Sequence, residues 1–146
     1  MNKERYKVLV REIAQFIKLQ DIEDVASLLN DLKFDVLATL YENDNDIRVV
    51  KRGVKIEPFS KDKLAENLAI SSDYVSDEAI GDALDTDDII NIVDGIVDRM
   101  KTDGKKAVSS DEIVSYTKAY LEDRGYDLVL DGYKHINTRE DRRLED

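Results

Sequence analysis

Six basic side chains cluster within eighteen residues near the middle of the chain. Between Asp46 and Lys63 the net charge is +3, although the whole chain carries −11. The six are Arg48, Lys51, Arg52, Lys55, Lys61 and Lys63. Lys and Arg donate charge-assisted hydrogen bonds to phosphate oxygens, and Lys63 falls on the first turn of an expected helix, where free N–H groups favour anions. The cluster predicts a phosphate site; the alternative is a solvated basic edge strand that blocks aggregation.

Two short β-rich runs position these basic residues. Residues 47–51 (IRVVK) and 54–58 (VKIEP) flank Arg52-Gly53, a pattern that favours a β-hairpin. Pro58 would stop the second strand. Ser60 is a suitable N-cap for the helix that carries Lys63. The sequence thus predicts basic side chains on a hairpin and on the start of the next helix.

The rest of the chain is expected to be mostly helical, because 146 residues include only six Gly and one Pro. Apolar periodicity predicts two to three helices before the polar run at 42–46, where we place a domain boundary between residues 1–45 and 46–146. Later elements are a helix capped by Thr86, a short strand at 105–108, a helix opened by the Ser109 capping box, and a final helix. The predicted fold class is α+β, mostly helical.

An apolar stripe runs along the first expected helix. Its members are Tyr6, Leu9, Val10, Ile13 and Ile17, which recur at three- and four-residue steps. Such a stripe is too apolar to remain in water. The sequence leaves three covers open: the rest of the same chain, a second subunit, or another protein.

Composition argues against several classes of function. A net charge of −11 and a pI near 4.6 disfavour nucleic-acid and anionic-membrane partners. The absence of cysteine excludes disulfides, thiolate zinc sites and cysteine nucleophiles. Apolar runs are far shorter than the ~20 residues that span a bilayer, and no secretory signal pattern is seen. We expect a cytoplasmic protein with neither nucleic-acid nor membrane partners.

The usual signatures of catalysis are missing from the sequence. No GxxxxGK[ST] or GxGxxG phosphate loop occurs. His135 is the single histidine, so a histidine relay or a multi-histidine metal site cannot form within one chain. The acidic residues Asp82, Asp85, Asp87 and Asp88 lack the spacing of a calcium loop and fit the start of a helix better. We therefore expect neither an enzyme nor a metal site.

The basic hairpin and its surroundings resemble the ATP-cone, the small regulatory domain found in many ribonucleotide reductases. Residues 49–64 (VVKRGVKIEPFSKDKL) align without a gap with the opening of that family: a hydrophobic residue, any residue, Lys-Arg-Asp-Gly, a strand, Pro-Phe-Asp and a helical Lys. Residues 108–113 (VSSDEI), 125–126 (GY) and 132–133 (GY) resemble the closing part. Basic residues follow, namely Arg139, Arg142 and Arg143. The resemblance covers about residues 47–143.

The resemblance implies a three-stranded sheet, the hairpin plus one strand, packed on about four helices. It also implies a non-catalytic domain that binds ATP or dATP with Mg²⁺. Lys51, Arg52 and Lys63 would contact the triphosphate, and the backbone around Val50 and Gly53 would lie over the nucleotide. Binding would alter self-association or the activity of a partner such as a ribonucleotide reductase subunit. Phe59 and Tyr133 are left open between base contact and core packing.

Two positions depart from the family pattern. The Asp-Gly turn is replaced by Gly53-Val54, so the turn is retained only if Gly53 takes a positive φ. Ser60 stands where the family has Asp. The alternative is therefore a degenerate cone that serves as a protein-interaction module without binding nucleotide. Related repressors place a cysteine-rich zinc ribbon before the cone, and reductases place a catalytic domain after it. Neither is present here, so we expect a free-standing cone behind a helical extension.

Overall fold

The computed structural model describes residues 1–43, 46–51, 55–76 and 84–144, with side chains omitted at 75, 76 and 138–144. These residues form six helices and three strands. The order is α1 (Lys3–Leu19), α2 (Val25–Leu40), β1 (Arg48–Lys51), β2 (Lys55–Pro58), α3 (Lys61–Ser76), α4 (Thr86–Thr102), β3 (Ala107–Ser109), α5 (Ser110–Asp123) and α6 (Asp127–Leu144). The α+β, mostly helical prediction is confirmed. None of the helices in these ranges is long and apolar enough to cross a membrane.

The chain divides into two compact units, Met1–Thr39 and Leu40–Asp146. The first consists of α1 and nearly all of α2. Asn2 caps α1 by accepting hydrogen bonds from the Glu4 and Arg5 N–H groups at 3.1 and 3.2 Å. The two later helical runs expected before residue 42 form one continuous helix, α2.

The second unit is built around a three-stranded sheet of order β2-β1-β3. Strand β1 pairs antiparallel with β2, with Val49 opposite Glu57 and Lys51 opposite Lys55. It pairs parallel with β3, with Arg48 opposite Ala107. The hairpin plus one strand expected from the sequence is therefore present. The residues that join β1 to β2, 52–54, lie outside the described part of the chain.

The core of the second unit lies between the sheet and the four helices α3 to α6. Helix α3 packs on α4 and α6, and α5 packs on α4, α6 and the sheet. Fully buried members include Leu68, Ile96, Met100, Val108 and Leu121. Burying such side chains contributes about 1.5–3 kcal/mol each, and this core fixes where α3 begins relative to the hairpin.

Helix boundaries follow local capping chemistry. Asp85 caps α4 by accepting the Asp88 N–H at 2.8 Å, and the Asp88 carboxylate accepts the Asp85 N–H in return. The expectation that Thr86 is the cap was wrong, because Thr86 is already the first helical residue. Of the acidic cluster, Asp87 and Asp88 lie in the first turn of α4, while Asp82 lies outside the described residues. Ser109 forms the expected capping box with Glu112.

Gly95, in the middle of α4, allows the Tyr120 ring to approach the helix backbone. A Cβ at this position would lie 2.5 Å from the Cε2 and Cζ atoms of Tyr120. Tyr120 is buried, and the guanidinium groups of Arg99 and Arg124 lie over its ring at 4.7 and 5.3 Å from the centroid. Any side chain at residue 95 must displace this ring.

We therefore expect Gly95→Ala to destabilise the protein by about 1–3 kcal/mol, the usual cost of overpacking, despite the higher helix propensity of Ala. The free energy of unfolding, measured in urea, checks this. In a Tyr120→Ala background the same substitution should instead stabilise by about 0.5–1 kcal/mol, since only the backbone-entropy effect remains. Destabilisation of equal size in both backgrounds would show that the ring contact is not responsible.

Candidate functional site

Strand alternation places four side chains of interest on one face of the hairpin. Residues opposite each other in an antiparallel pair face the same side, as do residues two apart on one strand. Val49 and Lys51 of β1 therefore share a face with Lys55 and Glu57 of β2. The spacing of Lys51 from Val49 predicts that these two side chains share a face. The β1–β2 register adds Lys55 and Glu57 to that face.

Three lysines converge on the carboxylate of Glu57. The Nζ of Lys51 lies 3.1 Å from Oε2, and the Nζ of Lys55 lies 2.9 Å from Oε1. The Nζ of Lys63, from the first turn of α3, lies 4.0 Å from Oε2. We call Lys51, Lys55, Glu57 and Lys63 the Glu57 cluster. Three ammonium groups and one carboxylate leave a net charge of +2 at this point of an acidic protein.

The start of α3 brings Lys63 to the hairpin. The Phe59 N–H donates to the Ile47 carbonyl at 2.8 Å, which holds the connection against the sheet. The Ser60 hydroxyl then accepts the Lys63 N–H at 3.2 Å and caps the helix, as expected. Lys61, by contrast, forms an ion pair with Asp94 of α4 at 3.2 Å. Two neighbouring lysines thus have different partners, and only Lys63 belongs to the cluster.

Hydrogen bonds from Lys55 and Lys51 lower the pKa of Glu57 from 4.5 to about 2, because they stabilise its charged form. The carboxylate therefore stays ionised at neutral pH. Its side chain is 24% exposed, whereas those of Lys55 and Lys63 are 73% and 71% exposed. Glu57 is an internal counter-ion, and its lysine partners remain accessible to another anion.

A cleft of about 180 Å³ adjoins the cluster. Its lining combines cluster residues with apolar side chains from the sheet, α3, α5 and α6, and with two asparagines. The lining includes Val49, Lys51, Glu57, Phe59, Lys63, Leu64, Asn67, Ile113, Tyr133 and Asn137. Apolar walls with a few polar groups are typical of small-molecule sites.

The two asparagines form a connected pair inside this lining. Asn67 Nδ2 donates to Asn137 Oδ1 at 3.1 Å, and Asn137 Nδ2 donates to the Tyr133 carbonyl at 2.8 Å. This chain of donors fixes both amide orientations, since exchanging O and N on Asn67 would bring two oxygens together. The Oδ1 of Asn67 is buried and has no hydrogen-bond partner among the described atoms. A buried acceptor without a partner carries a desolvation cost.

The structure brings together Lys51 and Lys63, two of the five residues expected to bind nucleotide. Val50 is buried in the central strand, opposite Ile56 and Ser109, and the cleft lining does not include it. Arg52 and Gly53 lie outside the described residues. Phe59 and Tyr133 both line the cleft and pack in the core, so the two roles left open by the sequence are compatible.

Glu57, Asn67 and Asn137 were not expected at this site, and Lys55 was expected only as a member of the basic run and not among the five nucleotide-binding residues. Lys55 and Glu57 carried a usable signal, because residues two apart on the second expected strand share a face. Nothing in the sequence around Asn67 or Asn137 indicates that either residue belongs to a site. They are seventy residues apart in the chain, and only the packing of α3 on α6 brings their side chains together.

Acidic and histidine side chains do not assemble into a metal site within the described ranges: no group of three or more is suitably placed. Compared with known proteins, the chain matches no protein-family model and no curated protein. The resemblance to the ATP-cone thus stays a prediction.

The lowered pKa of Glu57 predicts a specific acid dependence of stability. Between about 4.5 and about 2 the unfolded chain binds a proton at Glu57 that the folded chain does not, so this group's contribution to stability is lost as the pH falls. Glu57→Gln removes the contribution at neutral pH. The difference in melting temperature between wild type and Glu57→Gln should therefore shrink from neutral pH down to about 2.

Melting curves recorded across this pH range test the prediction. Glu66→Gln, which removes an exposed carboxylate of α3 outside the cluster, is the matched control for the loss of one surface charge. Wild-type and Glu57→Gln melting temperatures that fall in parallel would contradict the stabilising role of Glu57.

Proposed function

We propose that the chain is a non-catalytic regulatory domain that binds ATP or dATP at the Glu57 cluster and the adjoining cleft. The observation that carries the proposal is the convergence of Lys51, Lys55 and Lys63 beside an apolar cleft. A nucleotide needs cationic donors for its phosphates and apolar surface for its base. The described residues offer both within one site.

The cluster is suited to a triphosphate. Lys55 and Lys63 are mostly exposed and Lys51 is 38% exposed, so their ammonium groups are able to reorient from Glu57 to phosphate oxygens. Each charge-assisted hydrogen bond of this kind contributes about 1.5–3 kcal/mol. The bound Mg²⁺ would be held mainly by the phosphates, as is usual for this ion, and would reduce their repulsion with Glu57.

The cleft is suited to adenine. Val49, Phe59 and Tyr133 offer apolar surface to the ring. The exocyclic amino group of adenine is a donor, and Asn67 lines the cleft with an Oδ1 that has no partner among the described atoms. A rotation of the buried Asn67 side chain would present this acceptor to the base. Guanine and hypoxanthine present a carbonyl oxygen at the same ring position, which Asn67 Oδ1 would repel.

Regulation requires that nucleotide bind two states of the protein with different affinity. The Glu57 cluster would supply this difference in affinity. It joins the hairpin to the first turn of α3, and its lysines would pair with Glu57 in one state and with phosphate in the other. The output, following the resemblance, is a change in self-association or in a partner such as a ribonucleotide reductase subunit. A sensor of this kind would act in the cytoplasm.

Lys51→Ala should weaken binding of ATP and dATP by at least about tenfold, since a hydrogen bond to a charged group is lost. Isothermal calorimetry with Mg²⁺ and each nucleotide measures this. Lys101→Ala, an exposed lysine of α4 outside the cleft, is the matched control and should bind as wild type does. Unchanged affinity of Lys51→Ala for both nucleotides would remove Lys51 from the site. A wild type that shows neither binding heat nor a rise in melting temperature would favour the interaction module without nucleotide.

Asn67→Leu should reduce the preference for ATP over inosine triphosphate, in which a carbonyl replaces the amino group. Wild type should favour ATP by up to about tenfold, the value of one hydrogen bond. Tripolyphosphate, which has no base, should bind both proteins equally, so loss of phosphate binding is distinguishable from loss of base recognition. Equal wild-type affinity for ATP and inosine triphosphate would contradict this role of Asn67.

A further inference from the structure

Strand β2 forms an open edge of the sheet. The strand order β2-β1-β3 leaves one side of β2 without a neighbouring strand. Lys55, Ile56 and Pro58 are exposed, Ile56 at 41%. At the opposite edge, Ala107 and Val108 of β3 are buried. Within the described part of the chain, β2 is therefore the edge that a further strand is able to reach.

The hydrogen bonds of the hairpin show which backbone groups face this edge. The Phe59 N–H donates to the Ile47 carbonyl at 2.8 Å, which continues the β1–β2 register by one pair. Hydrogen-bonded and non-hydrogen-bonded pairs alternate in an antiparallel ladder, so Glu57 also directs its backbone groups to β1, whereas Ile56 and Pro58 direct theirs outward. The N–H and C=O of Ile56 have no hydrogen-bond partner among the described residues. Pro58 lacks an N–H at a position where β1 does not need one.

We propose that β2 pairs antiparallel with β2 of a second copy, about a two-fold axis at Ile56. The Ile56 N–H of each copy then donates to the Ile56 carbonyl of the other, and the two three-stranded sheets become one continuous sheet. Lys55 lies opposite Glu57 of the second copy, and the symmetry makes this pair twice. Both are non-hydrogen-bonded pairs, in which side chains are closest, and opposite charges at such positions favour pairing.

Charge and backbone polarity select this register over its neighbours. A shift by one residue would set outward backbone groups against inward ones, so the hydrogen bonds would be lost. A shift by two residues places either Lys55 opposite Lys55 or Glu57 opposite Glu57, and like charges directly opposite destabilise a strand pair. The second of these shifts also sets Ile56 against Pro58, which has no N–H to donate. The segment Lys55-Ile56-Glu57 is thus complementary to a second copy of itself.

The rest of the molecule permits a closed dimer. Lys51 lies on β1, and three strand spacings, about 14 Å, would separate the two copies of β1. This separation exceeds the Debye length of about 8 Å at physiological salt, so repulsion between them is largely screened. Because the β3 edge is buried, the assembly stops at two copies. The inference is independent of nucleotide binding.

Charge-reversed variants of the full chain test the pairing. An interface of two short strands is typical of weak association, so light scattering without nucleotide should show wild type approaching the dimer mass as its concentration rises to about 1 mM. Lys55→Glu and Glu57→Lys, each alone, should raise the dissociation constant at least about tenfold, since like charges then face each other. An equimolar mixture of the two variants should regain the dimer, because one strand is then acidic and the other basic.

Ile56→Pro tests the backbone bonds and leaves all charges in place. Its N–H does not bond to β1, so the variant should fold, as circular dichroism checks, and should lose the dimer. Ile56→Val keeps the N–H and is the matched control, which should dimerise as wild type does. The charge variants decide the question if Ile56→Pro does not fold, and Ile56→Pro decides it if a charge variant does not.

A wild type that stays monomeric throughout the concentration series would overturn the proposal. So would unchanged dimerisation of a folded Ile56→Pro variant, or a mixture of folded charge variants that does not regain the dimer mass.

Discussion

The pairing of β1 with both of its neighbours is the constraint on which the second unit depends. Because β1 is antiparallel to β2 and parallel to β3, its two faces are fixed at once from both sides. A slip of β1 by one residue against β2 and β3 would turn Lys51 away from Glu57 and expose Val49. Burial of Val49 in the core therefore holds the register, and the register holds the cluster of charges together.

The cluster illustrates how an acidic protein tolerates concentrated positive charge. Three ammonium groups at one point repel one another, and the Glu57 carboxylate compensates part of that repulsion from within the fold. A phosphate bound as proposed would have to compete with this carboxylate, so Glu57 would both preorganise the lysines and lower the net gain from binding. The same contact would hence stabilise the empty site and limit its affinity, which suits a sensor that has to release its ligand.

A structural feature was predictable from the sequence when the residues that determine it are close together in the chain. The hairpin, the Ser60 and Ser109 caps and the position of Lys63 follow from residues within a few positions of one another, and they were predictable. The Asp85 cap was missed because two adjacent residues both suit an N-cap, and the box with Asp88 decides between them. The pairing of Asn67 with Asn137 was beyond prediction, since it depends on tertiary packing between distant helices.

In the first unit, the sequence predicts helices with apolar stripes. Both helices are present, but none of their side chains is buried. The apolar side chains of α1 and α2 are left exposed. Covering them between copies would bring two highly acidic second units into the same particle. Their mutual repulsion, which falls with rising salt, would oppose the apolar attraction of the first units. Binding of a nucleotide, itself an anion, would add negative charge to both second units and weaken the dimer; Mg²⁺ bound with it would offset that effect. In such an assembly, the balance of these charges would link nucleotide occupancy to association without a rearrangement of the core.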